Sequence, residues 1–231
     1  NNGSLFNTGG TIASGVNGSD DCATAPAISG SGNFAFDSTG ATTGTAGSQD
    51  GNCNEDIWWE WTATGNGVAS FSTCNDSGAT AGEATFDTKI HVYNGAGCPA
   101  DLQASDANND DGGGCGGFSS HLGGFPVTGG STYVIQLGGW SAGDVGTGVL
   151  AIVENVSPAN DECAGAEAIS GDGDFAFDNS AGSTGTENQN AYICYDFGSS
   201  AVDNDVWFAW TATADSDLTV TLCGGTSMDS K

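Results

Sequence analysis

The stretch Ile57-Trp58-Trp59-Glu60-Trp61-Thr62-Ala63-Thr64 returns later in the chain as Val206-Trp207-Phe208-Ala209-Trp210-Thr211-Ala212-Thr213. In the first version Ile57, Trp59 and Trp61 fall on every second residue, and Val206, Phe208 and Trp210 repeat that spacing. A period of two is the mark of a strand with one face against a core, because successive side chains leave a strand on opposite sides. Trp58 then belongs to the opposite face. Its ring either packs or offers a surface for stacking on a sugar, and its recurrence as Trp207 suits packing.

Outward from this stretch the whole surrounding pattern repeats. Cys22–Gly30 is matched by Cys163–Gly171, Phe34-Ala35-Phe36-Asp37 by Phe175-Ala176-Phe177-Asp178, Thr43–Thr45 by Thr184–Thr186, and Cys53 by Cys194, all at an offset of 141 residues. After those cysteines the offset becomes 149, which aligns the Trp-rich strands and places Cys223 on Cys74. Phe86–Lys89 is answered by Met228–Lys231, and within the 231 residues Ile90–Val156 has no second version. The expected organisation is a lead-in over 1–19, a complete module over 20–155, a short linker at Ser157-Pro158, and a second, incomplete copy over 159–231.

Other strands read by alternation are Ala69, Phe71 and Thr73; Ile90 and Val92, with His91 and Tyr93 on the reverse face; Tyr133, Ile135 and Leu137; and Val149, Ala151 and Val153. Leu218, Val220 and Leu222 repeat the first of these sets. Gly is abundant at 39 copies, Lys plus Arg number two and Met one, so helix formers are scarce. Short strands punctuated by turns predict an all-β fold: tandem antiparallel, jelly-roll-like β-sandwich modules, the second incomplete. Six Trp and 11 Phe argue against disorder, the rival reading of a Gly-rich acidic chain.

The net charge is -27, from 29 acidic residues against Lys89 and Lys231. Nucleic acid and anionic membrane would be repelled. The longest apolar run, Val149–Val153, is far too short for a membrane span. Such a charge calls either for bound divalent cations such as calcium or for a salty habitat. Eight Cys without a C-x-x-C pair point to an oxidising, extracellular compartment. No signal-peptide pattern opens the chain, so Asn1 is expected to be a mature N-terminus or one set by cloning.

The marks Asp21-Cys22-Ala23, Asp56–Trp61, Ser72-Thr73-Cys74, Phe86-Asp87-Thr88, Val92–Gly95, Asn109-Asp110-Asp111 and Gly138-Gly139-Trp140, in that order, resemble extracellular bacterial modules of the pre-peptidase C-terminal type and related repeats of secreted surface proteins. The resemblance covers nearly all of copy one and the first half of copy two. It implies a β-sandwich, calcium binding in some members, and roles in adhesion, targeting or structure. Such repeats often carry Cys just before the Asn-Asp-Asp motif, where this chain has Asn108. If that cysteine normally bonds the Ser-Thr-Cys cysteine, Cys74 lacks its partner.

Calcium takes clustered oxygen ligands. The expected ligands are Asp106, Asn108, Asp110 and Asp111 in the acidic loop, with Asp20 and Asp21 at the entrance to copy one, and Asp161 and Glu162 at the entrance to copy two. Acid also recurs at Asp56 and Asp205, and at Asp87 and Asp229. Solvated loops and Asx turns are the competing use of these residues. Matching places in the two copies predict disulfides Cys22–Cys53 and Cys163–Cys194. Cys98–Cys115 would pin the ends of the acidic loop, leaving Cys74 and Cys223 unpaired, bonded to each other or bonded to another chain.

Gly139-Trp140-Ser141-Ala142-Gly143 has the form of a nucleophile elbow, but a second strand rather than a helix follows it, as in a hairpin. His91 and His121 have no nucleophile and carboxylate placed to form a triad, and each reads as a surface or edge-strand histidine. Asn2, Asn17, Asn75 and Asn155 begin glycosylation sequons that are also ordinary turn sequences. The expectation is a secreted, non-enzymatic structural or adhesive repeat of an extracellular surface or filament protein; the alternative is an accessory substrate- or carbohydrate-binding module of a secreted hydrolase. Expected partners are other copies of itself or the remainder of its own chain, by strand completion, and a glycan or cell-surface polymer.

Overall fold

The computed structural model describes residues 12–13, 17–47, 53–74, 84–113, 115–186, 202–222 and 225–226. The chain divides into two compact units, Asn1–Val156 and Ser157–Lys231.

Unit 1 is a sandwich of two five-stranded sheets. The first sheet has the order β1-β3-β10-β5-β8, built from Ile12–Ala13, Gly32–Asp37, Thr147–Val156, Gly67–Ser72 and His121–Val127. The second has the order β2-β4-β9-β6-β7, built from Ala27–Ser29, Asn54–Thr62, Thr132–Gly139, Thr88–Asn94 and Ala107–Asn109. Pairing is antiparallel except for β1 with β3 and β2 with β4.

The alternation read from β4 holds. Ile57, Trp59 and Trp61 enter the layer between the sheets with Ile90, Val92, Tyr133, Ile135 and Leu137, against Phe34, Phe36, Ala69, Phe71, Leu150 and Ile152. Trp61 packs edge-on to Phe71 at 5.3 Å and against Tyr133 at 5.6 Å, the geometries that aromatic quadrupoles favour. Its indole N–H donates to the Gly30 carbonyl at 3.0 Å, so no polar atom of the ring is stranded.

β10 corrects one phase. Leu150 and Ile152, not Val149, Ala151 and Val153, point into the core. Five consecutive apolar residues carry no alternation to read. The antiparallel register Leu150↔Phe34 and Ile152↔Phe71 sets the phase instead.

The outer face of the second sheet is also covered. Trp58, Tyr93 and Val134 form a small second core, with Cys22, Ala25 and Ala46 packed on it. Beneath that cover Tyr93 donates to Gln136 at 2.7 Å, Gln136 donates to Asp56 at 3.0 Å, and Asp56 accepts from the Gly44 amide at 3.1 Å. Trp58 therefore packs rather than stacking on a ligand. His91 is buried, and on an interior strand rather than at the surface or an edge; its Nδ1 lies 3.1 Å from the Ser105 hydroxyl, and Tyr93 stacks beside its ring at 6.4 Å. His121 opens the edge strand β8, as expected.

The Gly139–Gly143 turn also differs in detail. β9 belongs to the second sheet and β10 to the first, so the connection crosses between sheets instead of closing a hairpin. The Ser141 amide donates to Asp144 at 2.8 Å, and no helix follows, so the backbone of a nucleophile elbow is not formed.

The cystines of unit 1 are Cys22–Cys98 and Cys74–Cys115, with Cα–Cα distances of 5.6 and 5.4 Å. This overturns Cys22–Cys53 and Cys98–Cys115. Ser19 pairs with Trp58 in a backbone bridge, so the Cys22 turn sits beside the middle of β4. Cys53 precedes the start of β4 at Asn54, on the far side of the irregularity between Asn54 and Ile57, and so does not lie where the Cys22 turn lands. The Cys53 thiol is instead buried and free, donating to the Lys89 carbonyl at 3.9 Å. The Gly97 amide donates to Glu60 at 2.8 Å, which brings the Cys98 loop to Cys22. Cys115, seven residues beyond Asn108, supplies the partner that Cys74 was expected to lack.

In unit 2, β11 (Glu167–Ser170) pairs in parallel with β12 (Phe208–Thr211). Its register Ile169↔Trp210 copies Ile28↔Trp61 of unit 1. Trp210 donates to Gly171 at 3.0 Å as Trp61 does to Gly30, and the two glycines hold φ of 71° and 66°, a left-handed conformation natural to glycine. The counterparts of β3 and β5, residues 173–178 and 216–221, form no strand. In unit 1 both of those strands pair with β10, which has no second version within the 231 residues. Cys163 is an exposed free thiol; its expected partner Cys194, like Cys223, lies outside the described residues.

Candidate cation site

β6 and β7 are antiparallel with Ile90 opposite Asn109. That register carries Asp87, just before β6, to the side of Asp110 and Asp111, just after β7. The three carboxylates place one oxygen each within 4.8 Å of one another. Oxygens on opposite sides of a calcium ion, each about 2.4 Å from it, stand about 4.8 Å apart, so the spacing fits a shared cation. Asp87 Oδ1 and Asp110 Oδ1 are both buried without a hydrogen-bond partner. Buried carboxylate oxygens are normally paired, and a cation is one partner that meets the need.

Electrostatics agree with the geometry. Burial raises the Asp87 carboxyl above its usual range, and the charges of Asp110, Asp111 and Asp144 raise it further. Burial likewise raises Asp110; Asp111 adds to this, while the Lys89 ammonium works against it. Lys89, itself buried, lies 5.0 Å from the Trp140 ring centroid. The Trp140 amide donates to the Asp87 carbonyl at 3.2 Å, and the Thr88 amide to the Phe118 carbonyl at 3.3 Å. Two exposed rings, Trp140 at 40% and Phe118 at 65%, thus border the carboxylates. The Cys74–Cys115 disulfide anchors the loop that carries Phe118.

The other expected ligands serve as turn formers. Asp20 accepts from the amide and hydroxyl of Thr42, and Asp161 repeats this with Ser183. Asp21 caps the short 3-10 turn at Cys22–Thr24 through the Ala23 amide at 2.9 Å. Glu162 occupies the same place in copy two without a side-chain cap. Asp106 accepts from the Asn94 amide at 2.7 Å and closes the β6–β7 turn; Asn108 donates to Ser105 at 3.3 Å. Of the expected set, the described carboxylate cluster contains Asp110 and Asp111, and neither Asp20 nor Asp21 joins it. Asp87 was legible in the sequence only as a recurring acid. Pairing the run 88–94 with 107–109 would have placed it.

No protein-family model and no curated protein matches the chain. Among solved structures, the pre-peptidase C-terminal domain of a collagenase from Bacillus anthracis aligns with 12% identity over 55% of this chain and 93% of that one, at a TM-score of 0.35. That likeness adds nothing to the reading of the site.

Proposed function

We propose that the chain is a secreted, non-catalytic structural or adhesive repeat of the extracellular surface, held rigid by disulfides and by calcium at Asp87, Asp110 and Asp111, with copy two completed by strands of another copy or of the remainder of its own chain. The observation that carries the reading is the pair of buried, unpartnered oxygens on Asp87 and Asp110 beside a third carboxylate, in a unit stapled by two cystines. A cation there removes repulsion among four carboxylates, counting Asp144, and fixes the β6–β7 end of the sandwich. Head-to-tail completion between copies would be heterologous and would propagate into a filament.

Thermal unfolding in millimolar calcium, in chelator, and in sodium at matched ionic strength tests the cation. Calcium at about ten times its dissociation constant stabilises by about 1.4 kcal/mol, a midpoint shift of about 3–6 °C for a unit of this size. Asp110→Asn should remove the calcium-specific part. An equal gain from sodium alone assigns the effect to general screening and removes the site.

The exposed Trp140 and Phe118 rings beside the carboxylates favour a second reading, an accessory carbohydrate-binding module. Retardation on polysaccharide affinity gels that is lost in Trp140→Ala supports it; unaltered migration of both proteins counts against it.

A further inference from the structure

We propose that the Ser119 hydroxyl is a further ligand of the cation held by Asp87, Asp110 and Asp111, so that the ion ties together both ends of the loop running from Asp111 to Ser119. The proposal rests on the cation reading above and deepens it with a neutral ligand that charge alone does not point to.

Ser119 is 0% exposed, and its hydroxyl has no hydrogen-bond partner. A stranded hydroxyl in a packed interior costs stability, and alanine would fill a place that needed only packing. The next residue shows the ordinary arrangement. Ser120 is equally buried, and its hydroxyl lies 2.8 Å from the Asp110 carbonyl and 3.2 Å from the Thr88 hydroxyl, which in turn meets the Thr73 hydroxyl at 2.7 Å.

Backbone bonds place Ser119 among the carboxylates. The Thr88 amide donates to the Phe118 carbonyl at 3.3 Å, and the Gly112 amide to the Ser119 carbonyl at 2.9 Å. The chain at Ser119 is therefore stitched to the residue after Asp87 and to the residue after Asp111. Ladder bonding also runs past the strand ends here. The Trp140 amide donates to the Asp87 carbonyl at 3.2 Å, continuing β6 against β9, and the Thr73 amide to the Ser120 carbonyl at 2.9 Å, continuing β8 against β5.

Successive side chains leave an extended chain on opposite sides. The Thr88 and Ser120 hydroxyls meet, so Asp87 and Ser119, each one residue earlier, turn to the side away from them. Asp87 Oδ1 and Asp110 Oδ1 share the condition of the Ser119 hydroxyl, buried and without a hydrogen-bond partner. Three such oxygens on three segments that the backbone draws together are met by one ion. Calcium takes six to eight oxygens, neutral ones beside carboxylates. A hydroxyl adds coordination without adding to the repulsion among the negative ligands.

The test is calorimetric titration of the intact chain with calcium, beside thermal unfolding in calcium and in chelator. Ser119→Ala should raise the calcium dissociation constant about tenfold, the effect of losing one good oxygen contact among several. It should leave the midpoint in chelator unchanged or higher, because it deletes an unpaired hydroxyl. Ser120→Ala should lower the midpoint alike in both buffers, since that hydroxyl serves the fold. In an Asp110→Asn background Ser119→Ala should add little, because two ligands of one ion are coupled. Ser119→Gly, read in the same way, is the second variant. Equal losses of stability with and without calcium would mean that protein or a buried water holds the hydroxyl, which overturns the inference; calcium binding of unaltered strength overturns it too. Both of those results leave the carboxylate site standing. Wild-type protein that binds no calcium overturns the inference and the cation reading together.

Discussion

Replacing Cys22 and Cys98 together by Ala should cost unit 1 several kcal/mol, whereas replacing Cys53 should cost little. The cystine spans 76 residues of sequence. The chain-entropy relation gives a loop of that length about 4.5 kcal/mol at 25 °C, an upper value because a denatured chain keeps some structure. About 3–4 kcal/mol is the working expectation, or a fall in midpoint of roughly 6–16 °C for a domain of this size. Cys53→Ala removes one buried sulfur and no crosslink, worth about 1 kcal/mol of lost packing. Urea unfolding followed by tryptophan fluorescence is the assay, since Trp58, Trp59 and Trp61 are all buried in unit 1. Equal and large losses for Cys22→Ala and Cys53→Ala, with none for Cys98→Ala, would refute the reasoning and restore the pairing that the sequence suggested.

Iodoacetamide applied to the folded, unreduced protein should modify Cys163 at once and Cys53 only after denaturation, because burial both hides the Cys53 thiol and raises its pKa well above the usual value; rapid labelling of Cys53 in the folded state would count against its place beside β9. Trp61→Ala should destabilise by about 3–5 kcal/mol, and Trp210→Ala, half-buried in unit 2, by much less in the isolated chain; matching denaturation midpoints for the two variants would show that the copies are equally covered. Asp56, Asp87 and Asp110 all have carboxyls raised chiefly by burial. Their folded forms hold a proton more tightly than the unfolded chain does, so ionisation costs stability above the folded pKa, and the cost is relieved as pH falls through it towards about 3.9. Calcium-free protein should therefore gain in melting temperature as the pH falls through these raised folded pKa values, and Asp87→Asn should flatten that gain. A stability that falls over the same range contradicts the cluster.

The strand alternation of β4, the repeat and the all-β class were legible in the order of the residues. Each of these rests on periodicity or self-similarity, which are local properties of the chain. The register of β11 on β12 came from the fold: the same Ile–Trp pair forms in both copies although the second carries eight more residues between the two strands. Tertiary structure decided what depends on which distant segments meet. The phase of β10 came from its neighbours, because Val149–Val153 is apolar throughout. Disulfide pairing depended on where the Cys22 turn lands along β4, and matching sequence positions say nothing of that distance. The carboxylate cluster depended on antiparallel pairing that brings Asp87 across 23 residues of sequence to Asp110, while Asp20, Asp21 and Asp106, equally acidic on paper, found backbone amides closer to hand. Counterparts of β3 and β5 exist in copy two as sequence and not as strands, because a strand is stable only with a neighbour to take its hydrogen bonds and cover its face.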